Sequence, residues 1–594
     1  MMRVPEYDVV SPNLQRRNEA ARKNILNNLG RAGRELFRMR MDKSGQRVTL
    51  AMLMFIAIFC GISARLIYLA ANPIESNARR FPADAVVNAR PDIVDRNGAI
   101  LATDVKMMSV YAEPKRIIDK DEAVELLTAI FPDINARELR EKLSSKRGFV
   151  WIKREVTPEQ QLEVYRLGLP GIGFQPENKR IYPNGSAAAH VLGFANVDNI
   201  GIAGLEKYID SLGLSDLSGA GLTPHASDLA PVKLTLDLRV QHALRDELFK
   251  GMEHFKSKSA GGMVIDVETG EVIALASLPD YDPNNPKDAL DPDKINHVVV
   301  GTYEMGSTYK ALTIAMGLDS GKFNINSQLD ARSAIRYGKY EINDYHATHR
   351  ILTVPEVFIH SSNIGTAKIA LGMGVEAHKA FLKKMGQLDR LKTELPESAE
   401  PQVQSNWSEV TTLTVAYGHG LAVAPIQAVM AVCALVNGGH LMPPTFLPRT
   451  RDEAMAKSTQ VIKPDVSEAM RFVMRLNATK GSAGKADVAG YFVGGKTGTA
   501  NKNAHGFYDD KNGVFTTFMA ITPADKPRYL FLAIMDEPQA VEGTLGSRTA
   551  SYNVGSVTGA VIERVAPLLG LKPNPDAPVN PFPEMVRQNA WGAK

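Results

Sequence analysis

The sequence has few cysteines, few tryptophans and no excess of charge of one sign. Its 594 residues include only two cysteines, Cys60 and Cys433, which lie far apart in the chain and so exclude a disulfide framework. The 69 lysines and arginines are almost balanced by 65 aspartates and glutamates, which gives no reason to expect nucleic acid as a partner. Internal repeats and low-complexity tracts are also absent. The length is that of about three or four globular units.

Basic residues are concentrated at the N-terminus, directly before the longest apolar run. Residues 1–47 contain eleven lysines and arginines against five acidic residues, and residues 48–64 are uncharged up to Arg65. At about 1.5 Å per residue the run is roughly 25 Å long, close to the hydrocarbon thickness of a bilayer. We therefore predict a basic cytoplasmic tail at residues 1–47 and an uncleaved transmembrane helix at residues 48–71. A buried core helix is the alternative for this run.

The remainder of the chain divides into two parts and a tail. Residues 72–225 show short strands, turns and helices interrupted by Pro and Gly, and a Gly/Ser/Leu/Pro-rich segment follows them. Residues 226–572 have a clearer pattern, and residues 573–594 form a C-terminal tail. The elements predicted in the second part are a helix over 238–255, a hairpin over 262–277, strands over 514–522 and 528–535, and a helix over 555–569. Helices around an antiparallel sheet predict an α+β domain.

A serine and a lysine three residues apart are the first candidates for a chemical site. Ser307 begins a predicted helix that is apolar on nearly all sides, and Lys310 lies on the same face. A serine hydroxyl becomes a strong nucleophile when a neighbouring base takes its proton. A lysine can be that base when it is neutral, which burial and a second nearby cation both favour. Such a pair is expected about twice by chance in this length, so it needs independent support.

A second polar cluster follows the apolar segment 354–359. Ser361 supplies a hydroxyl that can carry a proton between a base and a leaving amine, and Asn363 supplies an amide that can donate to a substrate carbonyl. Taken alone, a Ser-x-Asn sequence is more often a capping or turn cluster. The cluster is therefore informative only in combination with others.

The third cluster lies in a Gly-rich strand predicted at residues 493–500. Lys496 adds a cation there, and the hydroxyls of Thr497 and Thr499 suit a carboxylate. Glycines such as Gly498 let another backbone come close, and strand N–H groups can stabilise an oxyanion. A strand with a glycine bulge is the alternative for this segment alone. The three clusters are separated by 54 and 135 residues, counted from positions 307, 361 and 496, and their joint occurrence is not expected by chance.

The three clusters resemble the Ser-x-x-Lys, Ser-x-Asn and Lys-Thr-Gly motifs of penicillin-binding proteins and serine β-lactamases. Further segments are similar to the class B penicillin-binding proteins, especially those of cell division: residues 90–102, 180–183, 190–193, 204–206, 235–237, 417–427 and 536–538. The resemblance implies a transpeptidase domain, with an antiparallel sheet flanked by helices, on an extended N-terminal pedestal or dimerisation-like domain behind a single transmembrane helix. Pro91, Met305 and Ala424 depart from the family pattern, but none is a reacting group.

The resemblance also implies an activity, that of a D,D-transpeptidase that cross-links peptidoglycan stem peptides at the division septum. Ser307 would attack the carbonyl before the terminal D-Ala, and β-lactams would acylate the same serine. The other roles implied by the family are a base (Lys310), proton transfer at the leaving amine (Ser361 and Lys496), a donor to the substrate (Asn363), a strand that binds the terminal carboxylate (Thr497, Gly498 and Thr499), and an oxyanion hole from the N–H groups of Ser307 and Thr499.

Neither a cofactor nor a metal is implied. Asp344, His346 and His349 lie close in sequence, but without a nearby cysteine they are better interpreted as ordinary surface or core residues. The implied partners are the stem peptides of a lipid-linked precursor, β-lactam inhibitors, and an FtsW-like glycosyltransferase with other membrane proteins of the division machinery; nucleic acid is not among them. The implied location is the bacterial inner membrane, with the catalytic domain in the periplasm.

Other functions of the same fold stay open at this point. They are an elongation-type transpeptidase, a hydrolase in which water resolves the acyl-enzyme, and a β-lactam-binding sensor. The sequence lacks an evident Glu-x-x-x-Asn deacylation motif, and Ser362 stands where a Ser-Asp-Asn motif has Asp; both features favour slow deacylation. In the N-terminal part five residues are candidates for an ion network between the domains, or for ordinary surface pairs: Arg90, Asp95, Arg96, Arg180 and Glu206.

Overall fold

The computed structural model describes most of the chain and divides it into two units, residues 1–83 and 84–594. The described residues are 23, 43–71, 89–214, 229–338, 340–504, 507–508, 513–576 and 582. Most of the tails predicted at residues 1–47 and 573–594 lies outside this set, as does the boundary predicted at residue 225. These domain limits therefore stay predictions.

In the first unit a single described helix, α1, spans Lys43–Ala71. Large apolar side chains along it, among them Leu50, Phe55 and Phe59, are exposed. Across the residues that the structure describes, no helix has both the length and the apolar character required to cross a membrane. The transmembrane helix predicted at residues 48–71 thus stays a prediction.

The N-terminal part of the second unit is a small sheet with helices on one face. Its elements are β1 (Ile93–Val94), β2 (Ile100–Ala112), α2 (Lys120–Ile130), α3 (Ala136–Leu143), β3 (Val150–Val156), α4 (Pro158–Arg166), β4 (Ile172–Ile181), α5 (Ala189–Leu192), α6 (Gly204–Ile209) and β5 (Val232–Lys233). The long strand β2 pairs antiparallel with β1, β3 and β4, and β1 pairs parallel with β5. Helices α2, α3 and α4 pack on the sheet through Leu127, Leu139 and Val164, respectively.

A buried ion network holds the start and the end of this part together. Glu206, which is fully buried, accepts from Arg90 Nε at 2.8 Å and from Arg180 Nε at 2.7 Å. Asp210 pairs with Arg90 at 2.6 Å and Asp104 with Arg180 at 3.1 Å. The predicted network is therefore right for three residues, and their burial rules out ordinary surface pairs. The network was predicted between the two domains, but it links elements within the N-terminal part.

The other two residues predicted for that network lie at the junction with the catalytic part. Asp95 Oδ2 accepts from the backbone N–H of Leu238 at 3.1 Å, at the start of the next helix. The backbone N–H of Arg96 donates to Leu236 O at 2.8 Å. Here a side-chain cap and a main-chain bond, rather than ion pairs, join the two parts.

The C-terminal part of the second unit contains the remaining described α-helices and strands. In order they are α7 (Leu238–Phe255), β6 (Ser259–Asp266), β7 (Val272–Leu278), β8 (Tyr303–Glu304), α8 (Lys310–Asp319), β9 (Gln328–Asp330), β10 (Ile335–Tyr337), β11 (Tyr340–Ile342), β12 (Ile351–Thr353), α9 (Val354–Ile359), α10 (Asn363–Met373), α11 (Val375–Lys384), β13 (Gln402–Val403), α12 (Glu409–Ala416), β14 (Leu421–Val423), α13 (Pro425–Val436), β15 (His440–Leu441), α14 (Arg451–Ala456), β16 (Thr459–Gln460), α15 (Pro464–Lys480), β17 (Gly494–Asn501), β18 (Asn503–Ala504), β19 (Phe507–Tyr508), β20 (Val514–Thr522), β21 (Tyr529–Asp536) and α16 (Val554–Leu568).

Five of these strands form the central antiparallel sheet, in the order β17-β20-β21-β6-β7. Alternate side chains of β6 face opposite ways, so that Val264 packs with α7 and α16, while Met263 and Ile265 pack with α8, α9, α10, α13 and α15. The predicted antiparallel sheet flanked by helices is thus confirmed. Strand β17 lies at one edge of the sheet, which leaves its outer side next to the helical layer.

Candidate active site

Ser307 lies in a 3₁₀ turn, Gly306–Tyr309, that continues into α8 at Lys310. The predicted helix is therefore confirmed, but its first turn is tighter than an α-helix. Ser307 is partly exposed, whereas Lys310 is buried. This arrangement leaves the hydroxyl accessible to a substrate and keeps the amine away from bulk water.

The turn that carries Ser307 is pressed against strand β17. Gly306 has φ +52°, and a Cβ atom there would lie 2.8 Å from Thr499 O. A Cβ atom on Gly498 would lie 2.4 Å from Met305 O. Both positions need glycine because the two backbones are nearly in contact. The turn that carries Ser307 and the Lys-Thr-Gly strand, 189 residues apart when counted from Ser307 to Lys496, are thereby brought to one place.

Ser361 joins the two lysines. It lies between α9 and α10 with φ +53°, a left-handed conformation that is unfavourable for serine. Its Oγ accepts from Lys310 Nζ at 3.0 Å and from Lys496 Nζ at 3.1 Å. Lys310 Nζ also donates to the Ser361 carbonyl oxygen. One hydroxyl is thus shared by two amines that come from different elements.

The surroundings of the two lysines favour their neutral forms. Burial and, next, the Lys496 charge lower the pKa of Lys310 well below its ordinary value, although Asp344 acts in the opposite direction. Burial lowers the pKa of Lys496 to about 7. Two ammonium groups on one hydroxyl repel each other, so this arrangement also favours the neutral form, in which a lysine can act as a base.

Asn363 begins α10, and a nearby aspartate fixes the start of this helix. Asn363 Nδ2 donates to Asn343 O at 2.8 Å. Ser362 Oγ donates to Asp344 Oδ2 at 2.7 Å and accepts from the Gly365 N–H at 2.9 Å. Asp344 Oδ1 also accepts from the Ile364 N–H at 2.9 Å. Ser362 thus caps α10, in line with the capping cluster that is the alternative for the Ser-x-Asn sequence. The sequence carries no signal that Asp344, 18 residues upstream of Ser362, completes this cap.

The histidines near Asp344 do not join it in a metal-binding group. Within the described ranges, no three His, Cys, Asp or Glu side chains are grouped so that they could hold a metal ion. His349 Nδ1 lies 3.2 Å from Arg332 O, and His346 is exposed next to Tyr345. The Asp344 carboxylate is instead used by Ser362 and by the start of α10.

The threonines of β17 have hydroxyl partners that the sequence did not indicate. Thr497 Oγ1 lies 2.6 Å from Ser482 Oγ, which comes from the loop after α15. Thr499 Oγ1 accepts from the Ala550 N–H at 3.1 Å. Ser482 belongs to a short polar loop with no distinctive pattern. Asn477 Oδ1, near the end of α15, accepts from the Ser482 N–H at 3.2 Å.

The elements that carry the predicted site residues thus lie side by side. Lys310, Ser361 and Lys496 supply two amines that share one hydroxyl, Ser307 supplies a second hydroxyl, and the edge strand supplies threonine hydroxyls. This is the set that acyl transfer through a serine ester requires. Asn363 is the first residue of α10, two residues after Ser361, and its side chain bonds to Asn343 rather than to the lysines.

Comparison with known families agrees with this geometry. Residues 260–561 match the penicillin binding protein transpeptidase domain, and residues 86–213 match the penicillin-binding protein dimerisation domain. The chain is 38% identical over 503 residues to the probable peptidoglycan D,D-transpeptidase FtsI of Caulobacter vibrioides, which covers 82% of this chain and 83% of that protein. It is 29% identical over 521 residues to the peptidoglycan D,D-transpeptidase FtsI of Escherichia coli, covering 82% and 86%.

Among solved structures, the fold is similar to that of a peptidoglycan synthetase from Bifidobacterium adolescentis. The TM-score is 0.64 at 23% identity, and the match covers 83% of this chain and 98% of that chain. This likeness concerns the fold alone. The two family matches and the relative at 38% identity show that the chain belongs to the class B penicillin-binding proteins.

Proposed function

We infer that the protein is a peptidoglycan D,D-transpeptidase of cell division, which cross-links stem peptides through an acyl-enzyme on Ser307. The observation that supports this most strongly is the position of Ser361 Oγ, bound by both Lys310 and Lys496 beside the turn that carries Ser307. The relatives named FtsI favour the septal role over an elongation-type transpeptidase.

Acylation begins with proton removal from Ser307. Neutral Lys310 takes the proton, and Oγ attacks the carbonyl carbon before the terminal D-Ala of the donor peptide. The backbone N–H groups of Ser307 and Thr499 stabilise the oxyanion, each worth about 2.7–4 kcal/mol in comparable sites. The C–N bond then breaks, and the leaving amine receives a proton through Ser361.

Substrate orientation depends on the two walls of the site. On β17 the hydroxyls of Thr497 and Thr499 hold the terminal carboxylate. The close contact between Gly498 and the Met305 backbone fixes the position of this strand relative to the Ser307 turn. On the opposite wall Asn363 donates to a peptide carbonyl of the donor. β-Lactams enter the same way because their carboxylate and strained amide mimic the D-Ala-D-Ala end.

We place the chain in the inner membrane, with residues 48–71 as the anchor and the catalytic part in the periplasm. The support is the basic segment before an apolar run and the exposed apolar side chains of α1. The anchor and the N-terminal part would dock an FtsW-like glycosyltransferase and other division proteins, which supply the lipid-linked precursor. Membrane fractionation tests the anchor, and recovery of the protein in the soluble fraction would contradict it. Reporter fusions before and after residues 48–71 test the orientation, and a catalytic part in the cytoplasm would contradict it.

The activity is tested with two measurements on the full-length protein. In a cross-linking assay with lipid-linked substrate and a glycosyltransferase partner, we expect cross-linked peptides that disappear on Ser307→Ala. The second measurement is the rate at which the acylated protein releases penicillin. We expect bound penicillin to stay on the protein for much longer than the seconds to minutes typical of a hydrolase. Rapid release of hydrolysed penicillin would identify a hydrolase, and stable binding without any cross-linking would identify a sensor.

A further inference from the structure

A short exposed segment lies directly against the turn that carries Ser361 and Asn363. Asn343 and Asp344 tie it to the turn by the bonds from Asn363, Ser362 and Ile364 described above. The next residue, Tyr345, has 81% of its side chain exposed. The ring of His346, also exposed, lies edge-on to the Tyr345 ring, with centroids 4.7 Å apart. A rigid base therefore carries two exposed rings at the edge of the site.

A guanidinium group lies against the residue that precedes Ser361. Arg350 Nη2 lies 3.0 Å from His360 Nε2, and Arg350 also pairs with Glu356 at 2.5 Å. About half of the Arg350 side chain is exposed, with a relative exposure of 48%. His360 directly precedes Ser361 in the chain. Tyr345, His346, Arg350 and His360 together are called the flanking face below.

The second half of the reaction needs an approach path beside Ser361. The first leaving amine departs where Ser361 can give it a proton, and the incoming amine attacks the same carbonyl carbon. By microscopic reversibility the incoming amine occupies the place of the leaving amine, next to Ser361. The peptide that carries this amine must therefore extend past the 361–363 turn.

The chemistry of the flanking face suits such a peptide. A stem peptide ends in a carboxylate, and a guanidinium pairs with carboxylates in bidentate geometry. Exposed aromatic rings provide contact area at low entropic cost because they have few rotatable bonds. Glu356, which is 5% exposed, already pairs with Arg350 Nη1, so a peptide carboxylate would share the guanidinium with it through the exposed half of the Arg350 side chain. The Asp344 carboxylate is engaged with Ser362 and the Ile364 N–H.

We propose that the flanking face is the binding surface for the acceptor stem peptide, with Arg350 at a carboxylate of that peptide and Tyr345 and His346 against its backbone. The proposal rests on the transpeptidase function above and assigns it an acceptor site. In the step served, the acceptor nitrogen forms a C–N bond to the acyl carbon, and the bond from that carbon to Ser307 Oγ breaks. The proton from the amine returns to Ser307 Oγ through Ser361 and Lys310.

The test separates the donor from the acceptor. The full-length protein is given a soluble acyl-D-alanyl thioester as donor and a soluble stem peptide with a free amine as acceptor, and aminolysis and hydrolysis products are measured together. The variants are the double substitution Tyr345→Ala/His346→Ala and the single substitution Arg350→Gln. Tyr165→Ala is the matched control, because Tyr165 is 73% exposed on α4 in the N-terminal part.

In both flanking-face variants we expect the ratio of aminolysis to hydrolysis to fall about tenfold. These variants should also require a higher acceptor concentration to reach half of the maximal aminolysis rate. Penicillin acylation rates should stay within about twofold of wild type, and Tyr165→Ala should behave like wild type in both assays. An unchanged product ratio would overturn the proposal. An equal loss of penicillin acylation would also overturn it, since the face would then serve the donor. Failure of the wild type to form an acyl-enzyme would instead contradict the proposed function itself.

Discussion

Lys496 Nζ lies 3.1 Å from Ser361 Oγ, although 135 residues separate the two in the chain. Lys496 is 2% exposed, and the Phe358 ring centroid is 5.6 Å from its Nζ. Burying this amine beside a second one is unfavourable for folding, because water stabilises ammonium groups better than an apolar layer does. The site therefore maintains its chemistry at the expense of stability.

Replacing this lysine should separate function from stability. In Lys496→Met we expect loss of penicillin acylation together with greater stability to denaturant, by about 1–4 kcal/mol near pH 7. The pKa of Lys496 is about 7 in the folded protein and near 10.5 when unfolded, so between these values the unfolded chain holds the extra proton. Wild-type stability from this group therefore rises with pH across that window, and the advantage of the variant should shrink from pH 7 to pH 10. Lys142→Met, at an exposed position, is the control; a variant less stable than wild type at pH 7 would contradict the prediction.

The carboxylate of Asp344 should matter for the site although it does not touch the substrate. Asp344→Ala removes an acceptor for Ser362 and for the Ile364 N–H, so we expect a loss of about 0.5–2 kcal/mol in stability and slower acylation by penicillin. Asp344→Asn keeps one oxygen acceptor and should lie between Ala and wild type. Thermal unfolding and acylation kinetics check both. Wild-type acylation in Asp344→Ala would show that the 361–363 turn holds its shape without this carboxylate.

The close approach of two loops behind the nucleophile gives a steric test. Gly418 has φ +97°, and a Cβ atom there would lie 1.8 Å from Gly306 O. Gly418→Ala should therefore displace the Ser307 turn and strongly reduce acylation. Gly98→Ala is matched in backbone strain, with φ +91°, but has nothing within 4 Å of the added atom. If both variants acylated at the wild-type rate, the contact between residues 306 and 418 would be unimportant for the nucleophile.

In the N-terminal part Glu206→Ala tests the buried ion network. Removing the carboxylate leaves Arg90 and Arg180 without a shared partner in a buried place, and we expect a loss of about 3–5 kcal/mol in the free energy of unfolding. Glu141→Ala removes the exposed Arg137–Glu141 pair and should change stability by less than about 1 kcal/mol. Denaturant unfolding measures both. Equal, small effects would mean that Arg90 and Arg180 find other acceptors.

Much of the catalytic part could be predicted from the sequence, because its elements have strong local patterns. The helix Leu238–Phe255, the strand Val514–Thr522 and the helix Val554–Leu568 lie within one residue of their predicted limits. The order of the three motifs and their resemblance to those of penicillin-binding proteins predict that they share one site. The partners that fix them could not be predicted in this way. Asp344 and Ser482 act through single long-range hydrogen bonds, and the left-handed backbone of Ser361 depends on the packing of two helices.

The central claim is that Ser307 is the acylated nucleophile. Its most direct test is labelling of the full-length protein with a fluorescent penicillin, followed by mass spectrometry of the modified peptide, for wild type and Ser307→Ala. We expect one penicilloyl adduct on Ser307 in the wild type and no adduct in the variant. An adduct on another residue, or labelling that survives the substitution, would contradict the account.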